Sequence, residues 1–537
     1  MGIYLNPGNE GFASAVNSEI YMDKTGFLEY TNKMIDTEQR FLCVSRPRRF
    51  GKSMTAEMLV AYYGKCCDSS KLFEGLKIAA CDSYMQHKNV YDVIHIDLSG
   101  FLAEVTDIKK IVSVIQEKVI EELKDTFSNC DLSQVSTLPT ALSLIKNQTG
   151  TSFIMIIDEW DALFREEKYD FETQEAYVNL LRGLFKDAAS KRFMKMAYMT
   201  GILPIKKYGT QSALNNFYEY TMMNSGLLAE FIGFSEDEVQ NLCEKYDMDF
   251  DEAKCWYDGY SFKKAEHIYS PKSVVEAMLR QDYDNYWTRT ETYESLKKYI
   301  SMNFDGLKDA VIHMLGGGRC KLSTNTFQND FINFHNKDDV MTLLVHLGYL
   351  AYDANKKEVY IPNHEVESEF AEAVKGAGWK EIIKSIEASE RLLEATISGE
   401  GDVVAQMIDR VHTDSTSILN YHNENALSCV ISIAYYSARS YYTMHRELPT
   451  GKGFADIVFL PRAQAVDEKP AIIVELKWNK TAQGAISQIK EKNYVNTLKE
   501  YVGDVLLVGI NYDKETKQHT CQIESYRKET NSDLSTQ

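Results

Sequence analysis

The chain has 537 residues, a formal net charge of −19 and a hydrophobic fraction of 44%. That charge excludes an electrostatic grip on DNA or RNA by the whole surface, which needs a broad basic face. No apolar run reaches the roughly 20 residues of a membrane helix, so no membrane partner is expected.

Ten cysteines without a C-x-x-C pair exclude a zinc framework or a disulfide scaffold. The N-terminus lacks a basic segment followed by an apolar one, so the expected location is cytoplasmic, with reduced thiols. The charge is uneven. From Leu419 onward there are 14 Lys/Arg and 14 Asp/Glu, so the acidic excess lies upstream and a local basic cleft remains open. At roughly 100–200 residues per domain, the length predicts three domains.

In chain order, the first strong signals are short apolar runs. Phe41–Val44, Val93–Leu98, Phe153–Ile157 and Met194–Met199 each read as a buried strand. Helical patterns separate them, the clearest being Asp107–Phe127. Strands alternating with helices predict a parallel sheet covered on both faces. The pattern changes near Phe234. "SEDEVQNLCEKY" suits a helix N-terminus, and helices dominate to about Glu390. A helix followed by a hairpin turning at Asn355-Lys356-Lys357 suggests a winged-helix-like unit. From about Asn420 a helix (Asn425–Tyr436) precedes strands "ADIVFLP", "AIIVELKW" and "VLLVGINY", with the helix "AQGAISQIKEKNYV" between the last two. The tail "KETNSDLSTQ" reads as frayed. The expected domains are 1–233, 234–390 and 391–537.

The strand Phe41–Val44 runs through a short loop into Gly51-Lys52-Ser53-Met54 at the start of a helix. That is the context of a phosphate-binding P-loop. Its head is unusual, because Arg46 stands where the first glycine belongs. Backbone N–H groups and the helix N-terminus can still cradle phosphates. Lys52 would neutralise the β and γ phosphates, and Ser53 would offer its hydroxyl to Mg²⁺. Arg46, Arg48 and Arg49 add cations, any of which can touch the anion.

Phe153–Ile157 delivers Asp158-Glu159 to a strand end, a Walker B pattern. Asp158 can hold Mg²⁺ through water, and Glu159 can polarise the attacking water. Thr200, at the end of another strand, is a candidate γ-phosphate sensor or a plain strand-end threonine. The expected cofactors are ATP and Mg²⁺.

"YMDKTGFLEY", "SRPRRFGKSMTAEML", "IIDEWDALF", "MTGILPIKKYGTQSALNNF" and "CWYDGYSF" occur in this order. The chain thereby resembles the bacterial and archaeal AAA-ATPase-like proteins that carry a C-terminal PD-(D/E)XK nuclease-like domain. The Arg-Pro-Arg-Arg-Phe-Gly-Lys-Ser loop is the hallmark, and the resemblance covers nearly the whole chain. It implies an α/β fold class: a P-loop NTPase parallel sheet, a helical middle domain and a C-terminal PD-(D/E)XK mixed α/β domain.

The resemblance also implies an Asp, a spacer and then Glu-x-Lys on a following strand. Asp456 and the Glu475-Leu476-Lys477 run supply these. Strand alternation puts Glu475 and Lys477 on one face. Two carboxylates suit hard Mg²⁺, which would activate a bound water. Lys477 could orient that water or stabilise developing charge. Glu424, on the preceding helix, is a candidate further metal ligand, and Gln488, on the following helix, a candidate catalytic contact.

The leading expectation is an ATP-controlled nuclease acting on DNA or RNA. A regulatory ATPase that grips nucleic acid without cutting is the alternative, and an NTPase acting on a protein partner is a third. A homo-oligomer is compatible with each. "WYDGYSF" reads either as a base-stacking platform or as a structural turn.

Overall fold

The computed structural model describes residues 2–527 apart from 166–170, 206, 209–210, 213, 288–292, 303, 330–333, 416–423, 451–452, 463–468, 493, 499–500 and 502. The chain packs into two compact units. One comprises Met1–Arg289 with Lys321–Glu365, the other Thr290–Cys320 with Val366–Gln537. These units do not follow the sequence-based boundaries, because residues 234–390 contribute to both. The sequence marks where element types change, whereas compact units follow packing, and here packing divides the middle segment.

The first unit holds a five-stranded parallel sheet. Its order is Asp92–Asp97, Phe153–Asp158, Met194–Gly201, Phe41–Ser45, Tyr218–Tyr220. The four strands expected from apolar runs are all present. Phe41–Ser45 and Phe153–Asp158 are buried along their whole length, which is why they read as continuous apolar runs rather than alternating ones. Helices Ile111–Thr126 and Leu138–Thr149 bury Ile115, Val119, Leu142 and Ile145 against the sheet core.

The helix Glu236–Tyr246 starts as its sequence predicts. Ser235 accepts from Glu238 N while the Glu238 side chain accepts from Ser235 N, a reciprocal cap. Small strands accompany the helices beyond 234: Tyr260–Phe262 and Phe234–Ser235 flank Ala265–Tyr269 in an antiparallel sheet. The helix Lys337–Leu347 is followed by the antiparallel strands Ala351–Asp353 and Glu358–Tyr360, as expected. In "WYDGYSF" the rings of Tyr257, Tyr260 and Phe262 are buried, and Tyr260 meets Phe50 edge-on with ring centres 5.4 Å apart. Buried rings leave no platform for bases, so the motif is structural.

The second unit holds a mixed five-stranded sheet in the order Tyr442–Thr450, Gly453–Pro461, Ala471–Trp478, Asp504–Asp513, Gln518–Arg527. Only the Ala471–Trp478 and Asp504–Asp513 pair is parallel. The helix Ala482–Glu491 crosses over between those two strands, as a parallel connection requires. Ile457 pairs with Val474. Asp456 stands one residue before Ile457 and Glu475 one after Val474, so the antiparallel register brings the two acidic positions side by side on neighbouring strands. Glu424 opens the helix Glu424–Ala434, but its side chain lies outside the described residues, as does the tail from 528. Among the described residues, no helix is long and apolar enough to cross a membrane.

Candidate functional site

The P-loop strand ends at Ser45 and the chain turns at Gly51, whose φ of 84° places it in the left-handed region. A side chain there would meet nothing within 4 Å, so glycine is required by conformation and leaves open space above the helix start. Lys52 is buried, and its Nζ donates to Pro47 O at 3.0 Å. Burial pushes its pKa down, while Glu159, Asp158 and Asp161 oppose that shift. The ammonium therefore sits at the focus of three carboxylates.

Asp158 is also buried, and burial raises its carboxyl to about 6 against a hydrogen bond from the Ser53 side chain. Its Oδ1 accepts from Glu159 N at 2.8 Å. A carboxyl raised by burial is short of positive charge. The Ser53–Asp158 pair is thus the arrangement that Mg²⁺ with phosphate and water ligands fits. Glu159 follows with φ 52°, and its Oε2 lies 2.5 Å from Arg165 Nη1.

Sequence reasoning missed Asp161. It is fully buried, and its Oδ2 accepts from Ile202 N at 3.1 Å and Leu203 N at 2.8 Å. Trp160 N donates to Thr200 O at 3.0 Å. These bonds fasten the turn after Asp158 to the end of the neighbouring strand. A Cβ on Gly201 would stand 2.3 Å from Asp161 Oδ1 and 2.8 Å from Trp160 Cδ1, so that strand end admits only glycine. Thr200 is fully buried, and its hydroxyl donates to Val44 O at 2.9 Å. It ties two strands together and is not turned to the loop.

The arginines diverge. Arg46 is buried; its Nη1 donates to Ser45 O at 2.8 Å and Tyr220 O at 3.2 Å, and its guanidinium stands 5.2 Å over the Phe262 ring. Burial lowers its pKa to about 10. It supports the loop from within the fold rather than joining Lys52. Arg49 donates to Trp287 O at 2.6 Å. Arg48 is exposed, and so is Met54.

Beside Gly51 and Thr55 opens a cavity of about 360 Å³, walled by Tyr21, Met22, Met54, Phe234 and Val275. It is apolar, adjoins the phosphate loop and has room for a nucleobase. Its walls come from positions 12 to 275, so no local spacing announces them. Tyr21 and Met22 lie in "YMDKTGFLEY", and Gly51, Met54 and Thr55 in the phosphate-loop motif.

In the second unit Glu475 and Lys477 are both buried, with Lys477 Nζ 2.8 Å from Glu475 Oε1. Gln488 Nε2 donates to the same oxygen and approaches Tyr494 Oη at 3.3 Å. Asp456 Oδ2 accepts from Leu476 N at 2.7 Å. Glu475 Oε2 is buried without a partner among the described residues. Burial, then the charge of Asp456, raises the Glu475 carboxyl to about 7. An orphaned carboxylate oxygen beside a second carboxylate fits a divalent cation. Among the described residues, no group of three or more His, Cys, Asp or Glu side chains gathers to hold a metal. The pair would therefore need water and main-chain ligands as well.

Two family models match. Residues 11–210 match an AAA-ATPase-like family described as predicted AAA-ATPase, and residues 422–522 match the PD-(D/E)XK nuclease superfamily. The chain joins an AAA-ATPase-like domain to a PD-(D/E)XK nuclease superfamily domain. No curated protein matches it. Among solved structures, it is similar to the Aeropyrum pernix ORC2 protein in ADPNP–ADP complexes. That likeness has 11% identity and a TM-score of 0.34, over 67% of this chain and 96% of that one. The ATPase-like domain brings Lys52, Ser53, Asp158 and Glu159 together and leaves Arg46 and Thr200 outside the group. The nuclease-superfamily domain brings Asp456, Glu475, Lys477 and Gln488 together.

Proposed function

We propose that this protein binds and hydrolyses ATP and that its nucleotide state controls a Mg²⁺-dependent nuclease. The observation that carries this reading is the convergence, in each unit, of a residue set of one chemistry. Lys52 would meet the β and γ phosphates, and the N–H groups of the Gly51 turn would bind their oxygens. Ser53 and Asp158 would hold Mg²⁺, which when bound neutralises charge on the phosphates. Glu159 would hold the attacking water. The cavity walled by Tyr21, Met22 and Val275 would take the base.

In the nuclease-superfamily domain Asp456 and Glu475 would hold the metal, which when bound polarises a phosphodiester and acidifies water. Gln488 positions Glu475, and Lys477 would exchange its bond to Glu475 for one to the reacting water or phosphate. The three functional segments are 1–233, 234–390 and 391–537. The chain passes between the compact units at 289/290, 320/321 and 365/366, so residues 234–390 form the covalent route along which nucleotide state would reach the nuclease.

The deciding experiment incubates the protein with mixed DNA and RNA, Mg²⁺, and with or without ATP, alongside Lys52→Ala and Lys477→Ala. Cleavage that depends on Lys477 and changes with ATP in the parent but not in Lys52→Ala supports the reading. Cleavage indifferent to both nucleotide and Lys52→Ala separates the chain into two independent enzymes. A regulatory ATPase that binds nucleic acid without cutting is the second reading. It is favoured by the balance of 14 basic and 14 acidic residues from Leu419 onward, since a strong nuclease usually offers a basic cleft. ATP hydrolysis without cleavage of any substrate would establish it.

A further inference from the structure

Two helices lead into the nuclease-superfamily domain, Lys380–Ile397 and Gly401–Ser415. They turn at Gly399, whose φ is 77°. A cleft of about 350 Å³ opens between them. Lys384, Ser385, Ala388 and Arg391 line it from the first helix, and Val403, Gln406, Met407, Arg410 and Val411 from the second. Both sets follow helical spacing, so each is one continuous stripe.

The charges are one-sided. Three cations line the cleft, and among the described residues no acidic side chain does. Among the described residues, Lys384, Arg391 and Arg410 make no hydrogen bond or ion pair. Two of the neighbouring acids are engaged elsewhere. Asp409 Oδ1 accepts from His519 N at 2.9 Å and pairs with its Nδ1 at 2.7 Å, and Glu390 Oε1 accepts from Tyr441 Oη at 3.3 Å. In a chain of net charge −19, three cations that line one cleft without an ion pair among the described residues repel one another until an anion arrives. Between them lies apolar surface, Val403 and Met407. Cations flanking an apolar floor suit a phosphate followed by a flat base, since guanidinium planes and apolar side chains both pack on base faces. The Asp409–His519 bonds and the His412 ring, centred 4.7 Å from that of Tyr512, hold this helix on the strands Asp504–Asp513 and Gln518–Arg527. The cleft therefore belongs to the body that carries Glu475.

We propose that the cleft between Lys384, Arg391 and Arg410 binds the backbone of single-stranded nucleic acid as an accessory site of the nuclease-superfamily domain. This rests on the nucleic-acid reading above and locates the basic surface that the overall composition lacks. The cleft has room for one nucleotide, with its phosphates against the cations and its base on Val403 and Met407.

The test uses the full chain carrying Lys477→Ala, with EDTA present, so that binding is read without cleavage. Fluorescein-labelled 20-nucleotide single-stranded DNA and RNA are titrated and followed by anisotropy at several salt concentrations. Adding K384Q, R391Q and R410Q should weaken binding by about tenfold or more and make the log K against log salt slope shallower by about 2, at roughly 0.7 per lost phosphate contact. R391Q alone should take about one third of that slope change. An unchanged thermal melt serves as the folding control, as all three side chains are exposed. An unchanged affinity and slope overturns the proposal. So does displacement of the oligonucleotide by an acidic peptide at equal charge concentration, which assigns the cleft to a protein partner. A parent that never cleaves, yet loses binding in the triple variant, sinks the nuclease and keeps this site. A parent that cleaves, with binding indifferent to the three cations, does the reverse.

Discussion

Arg165 Nη1 lies 2.5 Å from Glu159 Oε2, and its Nε lies 4.0 Å from Asp161 Oδ1. One guanidinium thus spans the carboxylate expected to polarise water and the carboxylate that fastens the neighbouring strand end. Both carboxylates are largely withdrawn from solvent, so the pairing is little screened. A carboxylate held in this ion pair has one oxygen committed and must release it to take a water.

Arg165→Ala should therefore raise basal ATP hydrolysis several-fold with ATP affinity little changed. Glu159→Gln should keep affinity and slow hydrolysis by about 10²–10⁴-fold, the usual worth of a positioned general base. Steady-state phosphate release and calorimetric titration of ATP check both. A fall in Arg165→Ala to the level of Glu159→Gln would instead make Arg165 the residue that orients the carboxylate.

The base cavity yields a second prediction. Val275 faces the cavity from a helix distant in sequence from the phosphate loop. Val275→Trp should fill part of the roughly 360 Å³ and weaken ATP by about tenfold, or 1.4 kcal/mol. Inorganic triphosphate, which has no base, should bind as before. Lys52→Ala should lose both ligands, because its ammonium acts on the phosphates. Competition titrations with ATP and triphosphate separate the two variants.

What could be foreseen follows from how local each signal is. Gly51-Lys52-Ser53, Asp158-Glu159 and Glu475-x-Lys477 are contiguous, and their chemistry was legible. The directions of Arg46 and Arg49 were not, since charge type does not say which way a side chain leaves a loop. Arg46 turns its Nη1 to the Ser45 and Tyr220 carbonyls. Strands buried on both faces were found from their apolar runs. Tyr218–Tyr220 escaped because it has three residues and none is buried. Tyr442–Thr450 and Gln518–Arg527 escaped because they are edge strands, polar along much of their length, and one carries Pro449.

His412 makes acid stability a third test. Burial, then the nearby His519, depresses its pKa to about 4. The folded state thus binds fewer protons than the unfolded one between about pH 6.5 and 4. The stability associated with neutral His412 is complete above pH 6.5 and is lost as pH falls through 4. His412→Phe removes the titrating group and keeps a ring against Tyr512. Thermal melts at pH 7 and pH 5 should show a smaller drop for the variant than for the parent. Equal drops would mean that other groups carry the acid sensitivity.

Glu475 titrates in the opposite sense. Its carboxyl is raised to about 7, so the folded apo protein holds a proton there that the unfolded chain releases near 4.5. The ionised form is the disfavoured one, and its cost is complete above pH 7 and relieved as pH falls toward 4.5. A cation against Asp456 and Glu475 must displace that proton below pH 7. Mg²⁺ affinity should therefore rise with pH up to about 7 and level off beyond it. At pH 6.5, calorimetry in two buffers of different ionisation enthalpy should show proton release on Mg²⁺ binding, and Glu475→Gln should abolish both heat and release. Metal binding without proton release at pH 6.5 would place the cation away from Glu475.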